Sequence, residues 1–262
     1  MGALDRSLIG LALDLAQAAA PVAKKYFRQP IPVDDKADAS PVTIADREIE
    51  QTLRKILAER RPMDGVIGEE FAATRPGAAH TWVIDPIDGT KSFITGKPSF
   101  GTLIALLHQG EAVLGIIAQP ITGETWLGAK GHASTLNGAE IRTRGGRSLP
   151  QAYLYSTAPE MFHPGAETEA FSRLRQQVKG TRYGADCYAY GLLAMGCIDL
   201  VCEADLKLYD YAALIPVIEG AGGKVAGWSG EPPPLTTQAV TGRILAAGSP
   251  ELFAEAQAVL AP

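Results

Sequence analysis

Cysteine and histidine are scarce in this chain of 262 residues. Its three cysteines, Cys187, Cys197 and Cys202, include no CxxC pair, and its four histidines are dispersed. An odd number of clustered thiols argues against a disulfide framework and favours reduced cysteines in a cytosolic protein. Because the histidines form no metal-ligand spacing, the sequence also argues against a zinc enzyme.

Excess positive charge and long apolar runs are lacking too. The net charge of -5 argues against nucleic acid as a main partner, since a phosphate backbone requires a basic face. A small anionic substrate remains compatible, because a bound divalent cation can invert the charge locally. Asp5, Arg6 and Asp14 interrupt the apolar N-terminal pattern, so we expect no signal peptide, no membrane span and a cytoplasmic location.

The apolar spacing predicts a layered α/β fold in two halves, residues 1–138 and 139–262. Turns at Gln109-Gly110 and Thr122-Gly123 predict a largely antiparallel N-terminal sheet, and later strand–helix alternation predicts a mixed C-terminal sheet. Helices are predicted over 3–28, 43–60, 167–178, 186–195 and 210–220. Strands are predicted at 66–67, 82–84, 100–107, 112–118, 124–129, 153–156, 199–203 and 244–247, with loops at 31–41 and 230–234.

The most informative segment is residues 82–90, where two carboxylates follow a short apolar strand. Asp85 and Asp88, three residues apart, can converge on one turn, and Gly89 permits a sharp exit from it. Two close carboxylates repel each other unless a cation lies between them, and oxygen ligands suit Mg²⁺. The alternative is an Asp-rich turn whose carboxylates only accept backbone hydrogen bonds.

Three other acidic residues are candidates for the same site. Glu69 follows a short strand, Asp46 lies at the start of a helix, and Asp210 stands where an apolar helical run begins. Each has an ordinary alternative. Glu69 could be a surface glutamate, Asp46 could interact with the helix dipole, and Asp210 could be a helix N-cap.

Together these motifs resemble the inositol monophosphatase superfamily of Mg²⁺-dependent, lithium-sensitive phosphatases. Within it, residues 88–104 and 183–194 look closest to the histidinol-phosphate phosphatases. The resemblance implies a layered α-β-α-β-α sandwich, a homodimer, a small phosphorylated substrate and two or three Mg²⁺ ions per site. It covers nearly the whole chain through residues 36, 41–46, 67–70, 85–90, 209–210 and 219–223.

The resemblance also implies a ligand set for the metals. Glu69, Asp85 and the carbonyl of Ile87 would hold one Mg²⁺ ion, and Asp85, Asp88 and Asp210 would hold a second. Asp88 and Asp210 would also face the substrate.

The remaining implied roles concern water and phosphate. Glu69 and Thr90 would orient the attacking water, with Asp46 accepting a hydrogen bond from the Thr90 hydroxyl. The backbone N–H groups of Gly89 and Thr90 would meet phosphate oxygens at the start of a helix. Lys36 would neutralise phosphate or help hold a third metal; the alternative is a solvated loop lysine.

Specificity is predicted to depend on Asp186 and Glu203, with Gly184 and Ala185 completing the substrate pocket. Relatives carry an acidic residue at the position of Glu203, and a small residue is typical of inositol phosphatases where Asp186 stands. An acidic pair suits the ammonium or imidazolium of histidinol, so histidinol phosphate is the expected substrate. For Asp186 the alternative is a helix N-cap.

Other functions remain open at this point. An inositol-1-phosphate or broad sugar-phosphate phosphatase would have the same metal site. A nucleotide bisphosphate phosphatase is disfavoured because no basic cluster is evident for a second phosphate. A non-catalytic metal- or phosphate-binding regulator would be expected to lose a liganding carboxylate.

Overall fold

The computed structural model describes residues 4–35, 41–236 and 242–261. Within these residues the helices are α1 Arg6–Tyr26, α2 Ile44–Arg60, α3 Thr90–Ile94, α4 Ala166–Gln177, α5 Tyr188–Ala194, α6 Leu208–Tyr211, α7 Leu214–Glu219 and α8 Pro250–Leu260. The strands of the first half are β1 Val33–Asp35, β2 Pro41–Thr43, β3 Gly65–Gly68, β4 His80–Asp88, β5 Gly101–His108, β6 Glu111–Gln119, β7 Glu124–Ala129, β8 Thr135–Leu136 and β9 Ala139–Glu140. Those of the second half are β10 Tyr153–Ser156, β11 Gly180–Tyr183, β12 Leu200–Leu206, β13 Lys224–Gly227 and β14 Gly242–Ala247.

The first large sheet has the strand order β3-β4-β5-β6-β7-β8-β9. Only the β3–β4 pair is parallel among these described strands, and each later neighbour pairs antiparallel. The predicted Gln109-Gly110 turn joins β5 to β6, and Thr122-Gly123 lies between β6 and β7. The predicted antiparallel character of this sheet is therefore confirmed.

The second large sheet has the order β11-β10-β12-β14-β13. Strand β10 pairs parallel with both β11 and β12, whereas β14 pairs antiparallel with β12 and β13. The predicted mixed sheet is confirmed. Whether residues 1–138 and 139–262 are separate folding units stays a prediction.

Three hydrophobic clusters hold the layers together. Along β4, Trp82 and Ile84 pack with α1 and α2, while Val83 faces the opposite side of the sheet, because successive strand residues point to opposite faces. On that opposite side, α5, α6 and α7 lie between the two sheets. The outer face of the second sheet is covered by α4 and α8. This is the predicted α-β-α-β-α sandwich.

Several elements differ from the predictions. The segment 31–41, expected to be a loop, contains β1 and ends in β2, which pair antiparallel. Strands β11 and β13 and helix α8 were not predicted, and the helix expected over 210–220 is divided into α6 and α7. In the part of the chain that the structure describes, no helix combines the length and hydropathy that a membrane crossing requires.

Candidate active site

The two aspartates of the central motif lie at the bulged end of a strand. Strand β4 continues to Asp88, so the expected turn after residue 84 is wrong, and its pairing with β5 shifts between Asp85 and Asp88. Asp85 Oδ1 accepts a hydrogen bond from the Ile87 N–H at 3.0 Å, and the Thr102 hydroxyl donates to the Pro86 carbonyl at 2.8 Å. The bulge bends the strand end and re-aims its side chains.

Asp210 joins these aspartates from the other half of the chain. Carboxylate oxygens of Asp85, Asp88 and Asp210 all lie within 4.8 Å of one another, an arrangement that could hold a metal ion. Asp210 is the third residue of α6, so it is not the helix N-cap that was its alternative interpretation, and its Oδ2 accepts the Lys207 N–H at 2.6 Å. Asp88 Oδ2 accepts the Cys187 N–H at 2.7 Å.

The three carboxylates are hard to ionise together. Burial raises the pKa of Asp85 well above its usual value, and the nearby charges of Glu69, Asp88 and Asp210 raise it further. Burial is the largest cause of the raised pKa of Asp88, and the charge of Asp210 is the second largest. For Asp210, burial raises the pKa to about 7. A divalent cation would relieve both causes, since it neutralises the charges and replaces water around the oxygens.

Glu69 and Asp46 extend the acidic cluster. Glu69 directly follows β3. Burial is the largest cause of the raised pKa of Asp85 and of Asp46, and the charge of Glu69 raises both pKa values further. Asp46 is fully buried in the first turn of α2. Among the described residues, its Oδ1 is a buried oxygen that has no hydrogen-bond partner. An unpartnered buried carboxylate oxygen beside an all-oxygen cluster fits a hard divalent cation and its water.

The predicted hydrogen bond between Thr90 and Asp46 is not formed in this structure. Asp46 Oδ2 instead accepts from the N–H and hydroxyl of Thr43, at 2.8 and 2.6 Å, in a capping box at the start of α2. The Thr90 hydroxyl donates to the Ile87 carbonyl at 3.1 Å. Local capping thus determines the orientation of the Asp46 side chain.

A buried ion pair behind Glu69 was not predicted from the sequence. Glu50 has a fully buried side chain and accepts hydrogen bonds from Arg54 Nε at 2.7 Å and from the Glu70 N–H at 2.8 Å. Arg54 also donates to the Phe71 carbonyl at 3.0 Å. A Cβ on Gly68 would lie 1.9 Å from Glu50 Oε1, so only glycine permits this approach. Glu50 and Arg54 therefore hold the segment that directly follows Glu69.

The carboxylate cluster borders a cavity of about 220 Å³. Seven predicted residues line it: Glu69, Asp88, Gly89, Thr90, Asp186, Glu203 and Asp210. Residues that were not predicted also line it: Pro41, Lys91, Thr157, Met161, Cys187, Tyr190 and Leu206.

Two predicted pocket residues do not line the described cavity, and one cannot be placed. Gly184 donates its N–H to the carbonyls of Ser156 and Thr157, and a Cβ on it would lie 2.5 Å from Lys97 Nζ, so its free side is occupied. Ala185 is buried in the core between the sheets instead. Lys36 lies outside the described residues.

Asp186 is not a helix N-cap. Helix α5 begins at Tyr188, and the Asp186 backbone has a φ of 47°, in the left-handed region. Its Oδ2 accepts hydrogen bonds from the hydroxyls of Ser92 at 2.6 Å and Ser99 at 2.7 Å. Gly89, with a φ of 83°, lies directly against this carboxylate: a Cβ there would be 2.7 Å from Asp186 Cγ.

Glu203 lies on β12 and is buried, with 3% of its surface exposed. Its Oε1 accepts the Thr157 N–H at 2.7 Å, and its Oε2 accepts the Tyr190 hydroxyl at 2.9 Å. Burial raises the pKa of Glu203, while these two hydrogen bonds act in the opposite direction. The charge of Asp186 also raises the pKa of Glu203, so the two side chains lie close enough to interact.

Comparisons with known proteins show which family the chain is similar to. The model of the inositol monophosphatase family matches residues 5–260. The chain is 52% identical to the bifunctional phosphatase IMPL2, chloroplastic, of Arabidopsis thaliana over 87% of this chain, but it spans only 66% of that relative's length. It is 35% identical to a histidinol-phosphatase of Chlorobaculum parvum over 81% of this chain and 83% of the relative.

A solved structure of an inositol monophosphatase from Zymomonas mobilis has the same fold. It is 46% identical and superposes with a TM-score of 0.88, covering 97% of this chain and 98% of that one. The family match over nearly the whole length and the shared fold lead to one conclusion. The chain belongs to the inositol monophosphatase family of phosphatases.

Proposed function

We propose that this protein is a Mg²⁺-dependent phosphomonoesterase that hydrolyses L-histidinol phosphate to L-histidinol and phosphate, a step of histidine biosynthesis. The observation that carries the proposal is the pair of buried carboxylates, Asp186 and Glu203, on the wall of the cavity that the metal-site aspartates border.

Both carboxylates are held by neutral groups. Asp186 accepts from two serine hydroxyls, and Glu203 accepts from a backbone amide and a tyrosine hydroxyl. A buried carboxylate without a cationic partner is costly, and a charged ligand of opposite sign offsets that cost. Histidinol carries an ammonium group and an imidazole, so it supplies such a charge at the leaving-group end of the substrate.

Five oxygen-bearing groups of this chain would hold two Mg²⁺ ions: the carboxylates of Glu69, Asp85, Asp88 and Asp210 and the carbonyl of Ile87. The family resemblance also allows a third ion. Bound there, Mg²⁺ would supply the positive charge that phosphoryl transfer requires and would lower the pKa of water, so that the water becomes a better nucleophile towards phosphorus.

The protein's own groups would orient the reactants. Glu69 and the Thr90 hydroxyl would position the attacking water, and the N–H groups of Gly89 and Thr90 would contact phosphate oxygens. Lys91 lines the same cavity and offers a positive charge to the phosphate. No nucleophilic side chain is needed, so we assign direct attack by water, without a phosphoenzyme.

A second candidate is an inositol-1-phosphate or broad sugar-phosphate phosphatase. One observation favours it: both oxygens of Glu203 already accept hydrogen bonds, which leaves this residue less free to meet an ammonium group. A neutral polyol, whose hydroxyls both donate and accept, would suit such a wall.

A phosphate-release assay separates the candidates. Histidinol phosphate, inositol-1-phosphate and an adenosine bisphosphate are compared on wild type, Asp186→Asn and Glu203→Gln. A charge-assisted contact is worth roughly 1.5–3 kcal/mol, so Asp186→Asn should lower kcat/KM for histidinol phosphate by about one to two decades. Inositol-1-phosphate should lose much less. Equal losses on both substrates would refute the electrostatic argument.

Asp205→Asn is the matched control for this comparison. Asp205 also has a positive φ, of 58°, but it is exposed and lies outside the cavity lining. This substitution should leave kcat/KM for both substrates unchanged.

A cytoplasmic location and a homodimer belong to the same proposal. Sedimentation would test the dimer. The relative from Arabidopsis thaliana is named as chloroplastic.

A further inference from the structure

The substrate-facing carboxylate of Asp186 is fixed by two serines from the other half of the chain. Ser92 lies on α3 and Ser99 in the loop that follows it, and both hydroxyls lie within 2.7 Å of Asp186 Oδ2. All three side chains are buried, with 7%, 6% and 7% exposed for Ser92, Ser99 and Asp186. Because each hydroxyl has a single proton, both serines donate to the carboxylate, and the 3.1 Å approach between them is a close contact.

This arrangement leaves one oxygen of Asp186 for another partner. A Cβ on Gly89 would lie 3.0 Å from Asp186 Oδ1, so this second oxygen lies beside the residue that separates Asp88 from Thr90. The backbone that follows Asp186 is fixed too. The Asp186 carbonyl accepts the Ala189 N–H at 3.1 Å, and the next residue donates its N–H to Asp88.

Side-chain rotation is what the serines prevent. The backbone of Asp186 is anchored, yet its carboxylate could still turn about χ1 away from the cavity if Oδ2 had no donors. Two short hydrogen bonds, from Ser92 and Ser99, hold it in one orientation.

We infer that Ser92 and Ser99 are specificity-determining positioning residues: they hold the Asp186 carboxylate so that Oδ1 can receive the cationic part of the substrate. This inference rests on the proposed function. The competing explanation is that the serines only join the two halves of the chain.

The test is a double-mutant cycle with two substrates. Ser92→Ala and Ser99→Ala should each lower kcat/KM for histidinol phosphate by about tenfold, mainly through KM, because a hydrogen bond to a charged group is lost. With inositol-1-phosphate the change should stay below about twofold. In an Asp186→Asn background the same serine substitutions should cost less than about twofold on either substrate, since no charge remains to be held.

Two controls exclude a merely structural effect. Ser134→Ala removes an equally buried hydroxyl that donates to the Val217 carbonyl at 2.8 Å, outside the cavity lining, and should leave the substrate preference unchanged. Ser99→Thr keeps the hydroxyl and should restore the preference for the cationic substrate. If Ser92→Ala does not fold, the two Ser99 variants still decide the question.

The outcomes are distinguishable. If wild type hydrolyses inositol-1-phosphate better than histidinol phosphate, the proposed function is refuted and the inference falls with it. If wild type prefers histidinol phosphate but the serine variants lose both substrates alike, only the inference is overturned. If the losses in kcat/KM caused by the serine substitutions and by Asp186→Asn add fully, the inference is overturned as well.

Discussion

Removing the charge of Glu50 should weaken Mg²⁺ binding without touching a metal ligand. Glu50 has no exposed side-chain surface, and its ion-pair partner Arg54 is 16% exposed. Its carboxylate also accepts the N–H of Glu70, the residue after Glu69. Glu50→Gln therefore releases the segment that carries a predicted metal ligand.

The magnitude follows from the burial of the pair. Breaking a buried ion pair by removing one partner costs about 3–5 kcal/mol, because the remaining charge is left uncompensated. The substituted amide can still accept one hydrogen bond, and Arg54 keeps its bond to the Phe71 carbonyl, so we expect about 3 kcal/mol of lost stability. Changes behind metal ligands typically weaken metal affinity by about 10–100-fold, and we expect the lower end of that range.

Denaturant unfolding measures the stability loss, and calorimetric titration measures Mg²⁺ affinity. The matched control is Asp64→Asn. Asp64 is 7% exposed, pairs with Arg61 at 2.8 Å and accepts from Trp82 Nε1 at 3.0 Å, and it holds neither Glu69 nor Glu70. This control should lose stability but keep its Mg²⁺ affinity. If Glu50→Gln is destabilised yet binds Mg²⁺ like wild type, the ion pair is only structural.

Three further predictions concern the site itself. Thr90→Ala should lower kcat by about a hundredfold with little change in KM, because its hydroxyl would act on the water in the transition state. Asp46→Asn should also lower kcat, because the unpartnered Oδ1 of Asp46 would meet the cation or its water. Wild-type turnover in both variants would contradict these proposed roles. Gly89→Ala should lose activity and thermal stability, since the residue has a φ of 83° and its Cβ would lie 2.7 Å from Asp186 Cγ; an unaltered melting temperature would show that this close approach is wrong. In metal-free protein, Asp210 binds its proton more tightly when folded, so stability should fall as pH rises from about 3.8 towards about 7, and Asp210→Asn should flatten that decline.

The carboxylate cluster could be predicted because its aspartates stand in short motifs. Asp85 and Asp88 are three residues apart, and Asp210 follows a recognisable aromatic residue. The layered α/β class could be predicted as well, because the apolar spacing of the long helices and central strands is strong. The family resemblance did not provide the orientation of Asp46, whose Oδ2 accepts from the capping Thr43.

Contacts between distant segments could not be read from the sequence. Ser92 and Asp186 are 94 residues apart, and the Glu50 contact with the Glu70 N–H joins a helix to a loop 20 residues later. Strand β11 was missed because it is a short edge strand without an alternating buried pattern. Helix α8 had a usable signal: the Ser249 side chain accepts the Leu252 N–H, and Pro250 occupies the first turn.

The cluster of Asp85, Asp88 and Asp210 is proposed to bind the Mg²⁺ on which phosphatase activity depends. The most direct measurement is phosphate release from histidinol phosphate after exhaustive chelation, followed by addition of Mg²⁺. We expect chelation to abolish activity and Mg²⁺ to restore it in wild type but not in Asp85→Asn. Undiminished phosphate release from the chelated protein would contradict it.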